Sequence, residues 1–452
     1  MSRTFKTADY DATLDVTVRL GDCLPPDHLA RFVVDTIAQL DLAALYARYG
    51  RRGGQPYAPE ILLALLFYGY ASGVFSSRKL ERATYETVPF RFIAGNLHPD
   101  HDTLATFRKT FLPELKDLFV QVLLLAQLAG VLKLGNISLD GTKIHADASK
   151  SQAVSYKHLL ALEAHLRAEV EELFALSERA DQDELPDGLV VSDEIAIRQA
   201  RLARLAEAKA VLQARANERT ALSQAEYDAK VQERAEKERQ TGRTPRGRAP
   251  KPPTPGPRDK DQFNFTDPES RIMKHRSTEG FEQDYNAQIA VDQASLLIVG
   301  LSLSNHPTDQ REAEPTLDAI PPQIGPPEAG AMDNGYFSAA NIQACEQRGI
   351  EPYIATGRDP HHPSWHERFA ALPAPPGDDA SPREQMAYKL KTALGKVIYG
   401  LRKCTVEPVI GIIKEILGFR QFSLRGEPAA AGEWCLVCLA FALSRLHTLL
   451  QG

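Results

Sequence analysis

Two stretches of β-type sequence lie more than a hundred residues apart, and the chain between them resembles neither. The first, 136–147 (NISLDGTKIHAD), alternates so that Ser138, Asp140, Thr142 and Ile144 share a face. The second, 285–304, contains NAQIAVD and LLIVGLSLS, rich in β-branched and aliphatic residues. Between them, 155–180 and 192–239 carry helical stripes: Leu159, Leu162, Leu166, Val170 and Leu173, then Ile195, Leu202, Leu205 and Leu212. The turn-like DQDELPDGL separates the two, so the spacing predicts a helical hairpin whose second arm spans roughly 70 Å. Six prolines between Pro245 and Pro257 then end it in an extended linker. A chain built this way must leave a sheet and return to it, which makes the excursion an insertion.

Upstream, the first 135 residues read as helices. Leu29, Phe32, Val33, Ile37 and Leu40 keep helical spacing, and Pro59-Glu60 opens the apolar run 61–70 with proline in a tolerated first-turn position. Ser76-Ser77 leads a third helix, Asp100 to Thr103 caps 104–110, and 112–132 closes the bundle. The fold class expected is α/β, with three units. These are an N-terminal helical domain at 1–135, a mixed-sheet domain at 136–150 and 262–452, and the inserted hairpin with its basic linker at 151–261.

Charge looks unpromising for a nucleic-acid partner until it is divided. The 452 residues carry a net charge of −6, but 151–197 has a net −8, 198–260 a net +8 and 383–425 a net +6. A solvated helical face explains part of the middle block. The linker 239–260, with seven basic residues and one acidic, fits an anionic partner better. The apolar runs 61–75, 118–132 and 434–443 fall short of the roughly 20 residues that span a bilayer. Five cysteines form no disulfide framework, so a cytoplasmic location without a membrane partner is expected. Cys435 and Cys438 lie within an apolar run and read as core residues. His361, His362 and His366, among prolines, read as an exposed loop.

Three carboxylates stand apart. Asp140 interrupts an apolar strand, where a carboxylate is expensive to bury unless paired or bound to metal. Asp333 follows the short run 329–332 and precedes Asn334-Gly335-Tyr336; taken alone it reads as a turn former or helix cap. Glu407 lies in YGLRKCTVEPVIGIIKEILGF, where Thr405 can cap a helix with Pro408 in its first turn and Lys414 two turns on. A surface Glu/Lys pair is the plain reading of Glu407 and Lys414, although that helix is strongly apolar.

ISLDGTKIHADASK, DPESRIMK with DYNAQIAVD, AMDNGYFSAANI and YGLRKCTVEPVIGIIK resemble, in this order, the signatures of DDE transposases of bacterial insertion sequences. PEILLALLFYGYASGVFSSRKLE, PDHDTLATFRK and GFRQFSLRG with EWCLVCLAFALSRL extend the resemblance over nearly the whole chain. It implies an RNase H-like catalytic domain interrupted by a charged helical insertion, and Asp140, Asp333 and Glu407 as catalytic residues and metal ligands. It further implies two Mg²⁺ ions, with Mn²⁺ a possible substitute. Tyr399, Lys414 and either Arg402 or Lys403 would contact DNA phosphates. The usual signature has three residues between its arginine and glutamate. Arg402 has four, and Lys403 stands at the three-residue spacing.

The implied activity is metal-dependent cleavage and strand transfer on double-stranded DNA, at the element's terminal inverted repeats and its target. A homodimer would form the synaptic complex. Arg78, Lys79, Arg82, Arg91, Arg108 and Lys109 are candidate contacts of the N-terminal helices with the ends, and the inserted hairpin would clamp DNA or pair protomers. Two other readings stay open: an inactive DNA-binding descendant with a regulatory or structural role, and a metal-dependent nuclease without strand transfer. Inverted repeats in the flanking DNA would separate transposition from both.

Overall fold

The strand carrying Asp140 organises what surrounds it. The computed structural model describes residues 19–49, 55–179, 189–244, 247–274, 280–357, 364–368, 372–377 and 379–451. The strands described are β1 (Asn136–His145), β2 (Ala153–Ser155), β3 (Gln262–Asn264), β4 (Arg271–Lys274), β5 (Phe281–Asp292), β6 (Ile298–Ser304), β7 (Ala329–Met332) and β8 (Glu351–Ile354). β5 runs antiparallel to β1, with Asp140 opposite Ile289, and β7 lies parallel on the other side, with Leu139 opposite Met332. The mixed sheet has the order β4-β5-β1-β7-β8, with β6 also paired to β5. β5 is buried at every residue from Gln283 to Asp292, as befits a strand covered on both faces. The architecture is mixed α/β with the RNase H-like arrangement that the resemblance implies.

The N-terminal region contributes α1 (Leu29–Ile37), α2 (Ala43–Ala47), α3 (Pro59–Ala71), α4 (Ser77–Glu86), α5 (Val88–Ile93), α6 (His101–Thr110) and α7 (Leu115–Leu128). α3 is buried on nearly all sides, which is why its sequence lacks an amphipathic stripe. These helices have no separate core. One continuous apolar cluster joins Leu63, Phe67 and Leu123 to Ile137 and Ile289 in the sheet and to Trp434 and Leu439 near the C-terminus.

The insertion consists of α8 (Tyr156–Arg179) and α9 (Val191–Thr241). At 51 residues, α9 is about 75 Å long and ends on Gly242, whose φ of 63° suits a left-handed cap. The hairpin has its own small core of Leu159, Leu166, Leu205, Ala208 and Leu212. Its root is the β2–β3 ladder, and Arg219 from α9 pairs with Asp261 of the linker.

After the sheet's short helices α10 (Ala313–Asp318), α11 (Ala339–Gln347), α12 (Trp365–Arg368) and α13 (Pro382–Lys391) come α14 (Ala393–Gly411) and α15 (Glu427–Gln451). α14 corrects the expectation of a helix capped at Thr405. It begins at Ala393, runs through Pro408 and continues as π-helix over Ile412–Ile416. Burial explains the difference. Ile398, Arg402, Thr405, Val406, Val409 and Ile413 form one buried stripe that continues past the proline, and packing overrides the missing N–H. Thr405 is therefore mid-helix, and its hydroxyl bonds Leu401 O and Ser138 Oγ.

α15 also exceeds expectation. It is long and apolar enough to cross a membrane, yet most of it is buried against α3, α7 and β6. Cys435 and Cys438 are core residues there, their thiols pushed up by burial, Cys435 to about 12. His366 is exposed in α12 and stacks on Trp365, while His361 and His362 lie outside the described residues.

Candidate active site

Strand register sets the first pair. Leu139 and Met332 are the last parallel partners, so Asp140, within β1, and Asp333, just past the end of β7, are the next residues in register. Asp333 caps the turn that follows, its Oδ1 accepting from the Gly335 N–H at 2.8 Å. Asp140 Oδ1 accepts from its neighbour Gly141 N–H at 2.9 Å, and its side chain is 14% exposed.

α14 brings the third carboxylate. It lies on the face of β1 that carries Ser138 and Asp140, fixed by the Thr405–Ser138 bond at 2.8 Å. One turn before Thr405, Arg402 donates from Nη1 to Asp140 Oδ2 at 2.8 Å and from Nη2 to Glu407 Oε1 at 2.9 Å. A single guanidinium, 10% exposed, thus joins carboxylates 140 and 407. Burial opposes its charge, but Asp140, Tyr399, Glu407 and Asp333 outweigh that and hold its pKa above the ordinary value.

Placement sets Arg402 and Lys403 apart. Arg402 faces the carboxylates and Lys403 is exposed. The buried stripe of α14 could have shown this, because Arg402 falls on it and Lys403 does not. Tyr399 is half-buried beside the same helix face, packed against Ala329, Ala331 and Tyr353. Lys414, on the π-helical turn, donates to Thr142 Oγ1 and to Lys143 O, both at 3.1 Å, so it sits over β1 two and three residues beyond Asp140.

Behind the pair lies a polar network the sequence did not reveal. Asp309 Oδ1 accepts from Asn286 at 2.8 Å and from Gln288 at 2.9 Å, with Lys143 Nζ 3.6 Å away. Tyr336 donates to Gln288 Oε1; burial, then Asp140, Asp309 and Asp333, push its pKa well above the usual value, so it stays a donor. Gly141 fits this network only as glycine. An alanine Cβ would stand 2.1 Å from Gln288 Nε2 and 2.9 Å from Asp309 Oδ1. Gly141→Ala is expected to lower stability by about 1–3 kcal/mol, read from the urea unfolding midpoint.

Further along β1, His145 Nδ1 lies 2.8 Å from the buried Asp284 Oδ1, and that hydrogen bond raises the histidine pKa against the opposing effect of burial. Its contribution to stability is therefore fully present below the unfolded value near 6.5 and is lost as pH rises through the higher folded value. An NMR titration of His145 is expected to show the raised pKa, and Asp284→Asn to bring it back down. An unshifted histidine in the parent chain would contradict the pairing.

Of the N-terminal cations, Arg78, Lys79, Arg82 and Lys109 are exposed. Arg91 is half-buried and donates to Asn96 Oδ1 at 2.9 Å. Arg108 is withdrawn from the candidate DNA contacts: it is 8% exposed and donates to Tyr70 Oη at 2.8 Å and to Phe75 O at 3.1 Å, with Glu433 3.7 Å away.

The donors at 140, 333 and 407 are hard carboxylate oxygens, suited to Mg²⁺ or Mn²⁺, and a cationic group already lies between two of them. Among the described residues no three His, Cys, Asp or Glu side chains stand close enough to share one ion.

A family model described as "Transposase domain (DUF772)" matches residues 18–110, and one described as "Transposase DDE domain" matches residues 248–443. No curated protein and no solved structure matches the chain. The second match includes Asp333 and Glu407, and the first covers most of the N-terminal helices. With matches of this kind at both ends, the chain belongs to the DDE transposases of insertion sequences.

Proposed function

We propose that this transposase cleaves and joins DNA strands at the ends of its element with a metal-dependent centre of Asp140, Asp333 and Glu407. The observation that carries the reading is the gathering of carboxylates from β1, the end of β7 and α14 around one buried guanidinium. Asp140, Asp333 and Glu407 would hold the ions. Two Mg²⁺, or Mn²⁺ in their place, would supply Lewis-acid stabilisation of the attacking and leaving oxygens of a phosphodiester.

The chain's own groups do the rest. Lys414 and Tyr399 flank the carboxylates and would position the phosphate backbone, joined by Arg402 when it is not paired within the protein. Lys403, exposed on α14, would meet phosphate farther from the reacting bond. Region 136–150 with 262–452 would form the catalytic unit. Region 1–135 would read the terminal inverted repeats through Arg78, Lys79, Arg82, Arg91 and Lys109. The insertion, 151–261, would clamp DNA or pair protomers in a synaptic homodimer, and the protein would act in the cytoplasm on the nucleoid. The test is Mg²⁺-dependent nicking of DNA bearing the element ends by the full chain and by Asp140→Asn. Nicking retained by a clean preparation of the variant would sink the assignment.

A further inference from the structure

We propose that Arg402 is a removable counter-cation, holding Asp140 and Glu407 together in the chain free of metal and DNA and leaving them when a divalent ion takes its place. This rests on reading those two residues as metal ligands. The guanidinium engages Asp140 Oδ2 and Glu407 Oε1, oxygens an ion at that position would need, at 2.8 and 2.9 Å. A divalent ion bound by those same oxygens would lie close to the guanidinium, so the two positive charges compete for the pair.

The surroundings make the guanidinium a stand-in for the ion's charge. Carboxylates brought together without a cation repel and bind protons. Arginine does not deprotonate in proteins, so its fixed positive charge offsets the charge of the pair. The clamp is nevertheless incomplete: Arg402 Nε is buried and has no hydrogen-bond partner, so the side chain is held at its tip and not along its length. Glu407 is 48% exposed against 14% for Asp140, which puts the open side of the pair at the glutamate. A guanidinium displaced there needs a new anion. Lys403 and Lys396, exposed on the same helix, mark that solvent side as cationic, and a DNA phosphate supplies the anion. Metal loading would therefore be weak in the free chain and strengthened when DNA is bound.

The experiment is a Mn²⁺ titration of the full chain without DNA, followed by electron paramagnetic resonance of the free ion. It uses the parent, Arg402→Gln, Arg402→Lys and each of these with Asp140→Asn added. Arg402→Gln is expected to bind Mn²⁺ about tenfold tighter than the parent, because two charge-assisted bonds no longer compete. Arg402→Lys, a point charge without the fork, should fall between. A purely structural arginine predicts the opposite sign, and a residue that only contacts phosphate predicts no change without DNA. Circular dichroism establishes folding; should Arg402→Gln fail to fold, Arg402→Lys gives the sign alone. Equal or weaker Mn²⁺ binding by the folded variants, with binding still dependent on Asp140, overturns the proposal alone. Binding indifferent to Asp140→Asn in every background overturns it together with the metal-ligand reading beneath it.

Discussion

Asp140→Asn is expected to reduce Mg²⁺-dependent nicking of element-end DNA by about a thousandfold or more, equivalent to about 4 kcal/mol on the barrier. The carboxylate lost is the one at the meeting point of the other two: beside Asp333 through the β1–β7 register, and tied to Glu407 through Arg402. Its removal would take away the carboxylate that neighbours both of the others. Asparagine is preferred to alanine as the probe because its carbonyl can still accept from Arg402 and fill the same volume. Stability should change by only about 1–2 kcal/mol, so thermal unfolding and binding to the same DNA separate lost chemistry from lost structure. A variant that nicks at the parent rate would place the chemistry elsewhere in the chain.

The largest effect on stability is expected at Glu433. It is fully buried on α15 and accepts from Tyr70 Oη at 2.9 Å and from the N–H groups of Ser423 and Leu424 at 2.8 and 3.0 Å. Arg108, its only nearby cation among the described residues, is itself buried. Glu433→Ala would strand that guanidinium in the core and leave two backbone donors without acceptors. A loss of about 3–5 kcal/mol follows, measurable by urea unfolding. Arg108→Ala should be damaging for the same reason, through stability and not through loss of a phosphate contact. If Glu433→Ala unfolded with the parent's midpoint, the cluster would not be holding α3 and α6 to the C-terminal helix.

What the sequence made legible was local. β1 and β7 announce themselves by alternation or a short apolar run, the hairpin by its stripes, and Asp140 by being acidic in an apolar strand. What stayed hidden depends on pairs far apart in the chain. Arg402 meets Asp140 across 262 residues, Thr405 meets Ser138 across 267, and Tyr70 meets Glu433 across 363. Periodicity reaches only a few residues, so Arg108 passed for a surface cation and Thr405 for a cap. Asp309 was invisible for the same reason. It sits on a short 3₁₀ turn, Asp309–Arg311, and only the fold sets it against Gln288 and Gly141. The continuity of the N-terminal helices with the sheet core was likewise beyond reach, because an apolar face does not name its partner.

The β2–β3 ladder has a consequence for how this family can vary. Ala153 pairs with Asn264 and Ser155 with Gln262, so the excursion is closed off by three residue pairs before α8 begins. Beyond that clasp α9 still touches the sheet region, through Glu226 with Arg311 and Arg215 with Pro268 O, so changes in the arm that spare those contacts leave the spacing between Asp140 and the strands as it is. The arm is thus a side branch of the sheet, and the geometry around Asp140 does not depend on its length.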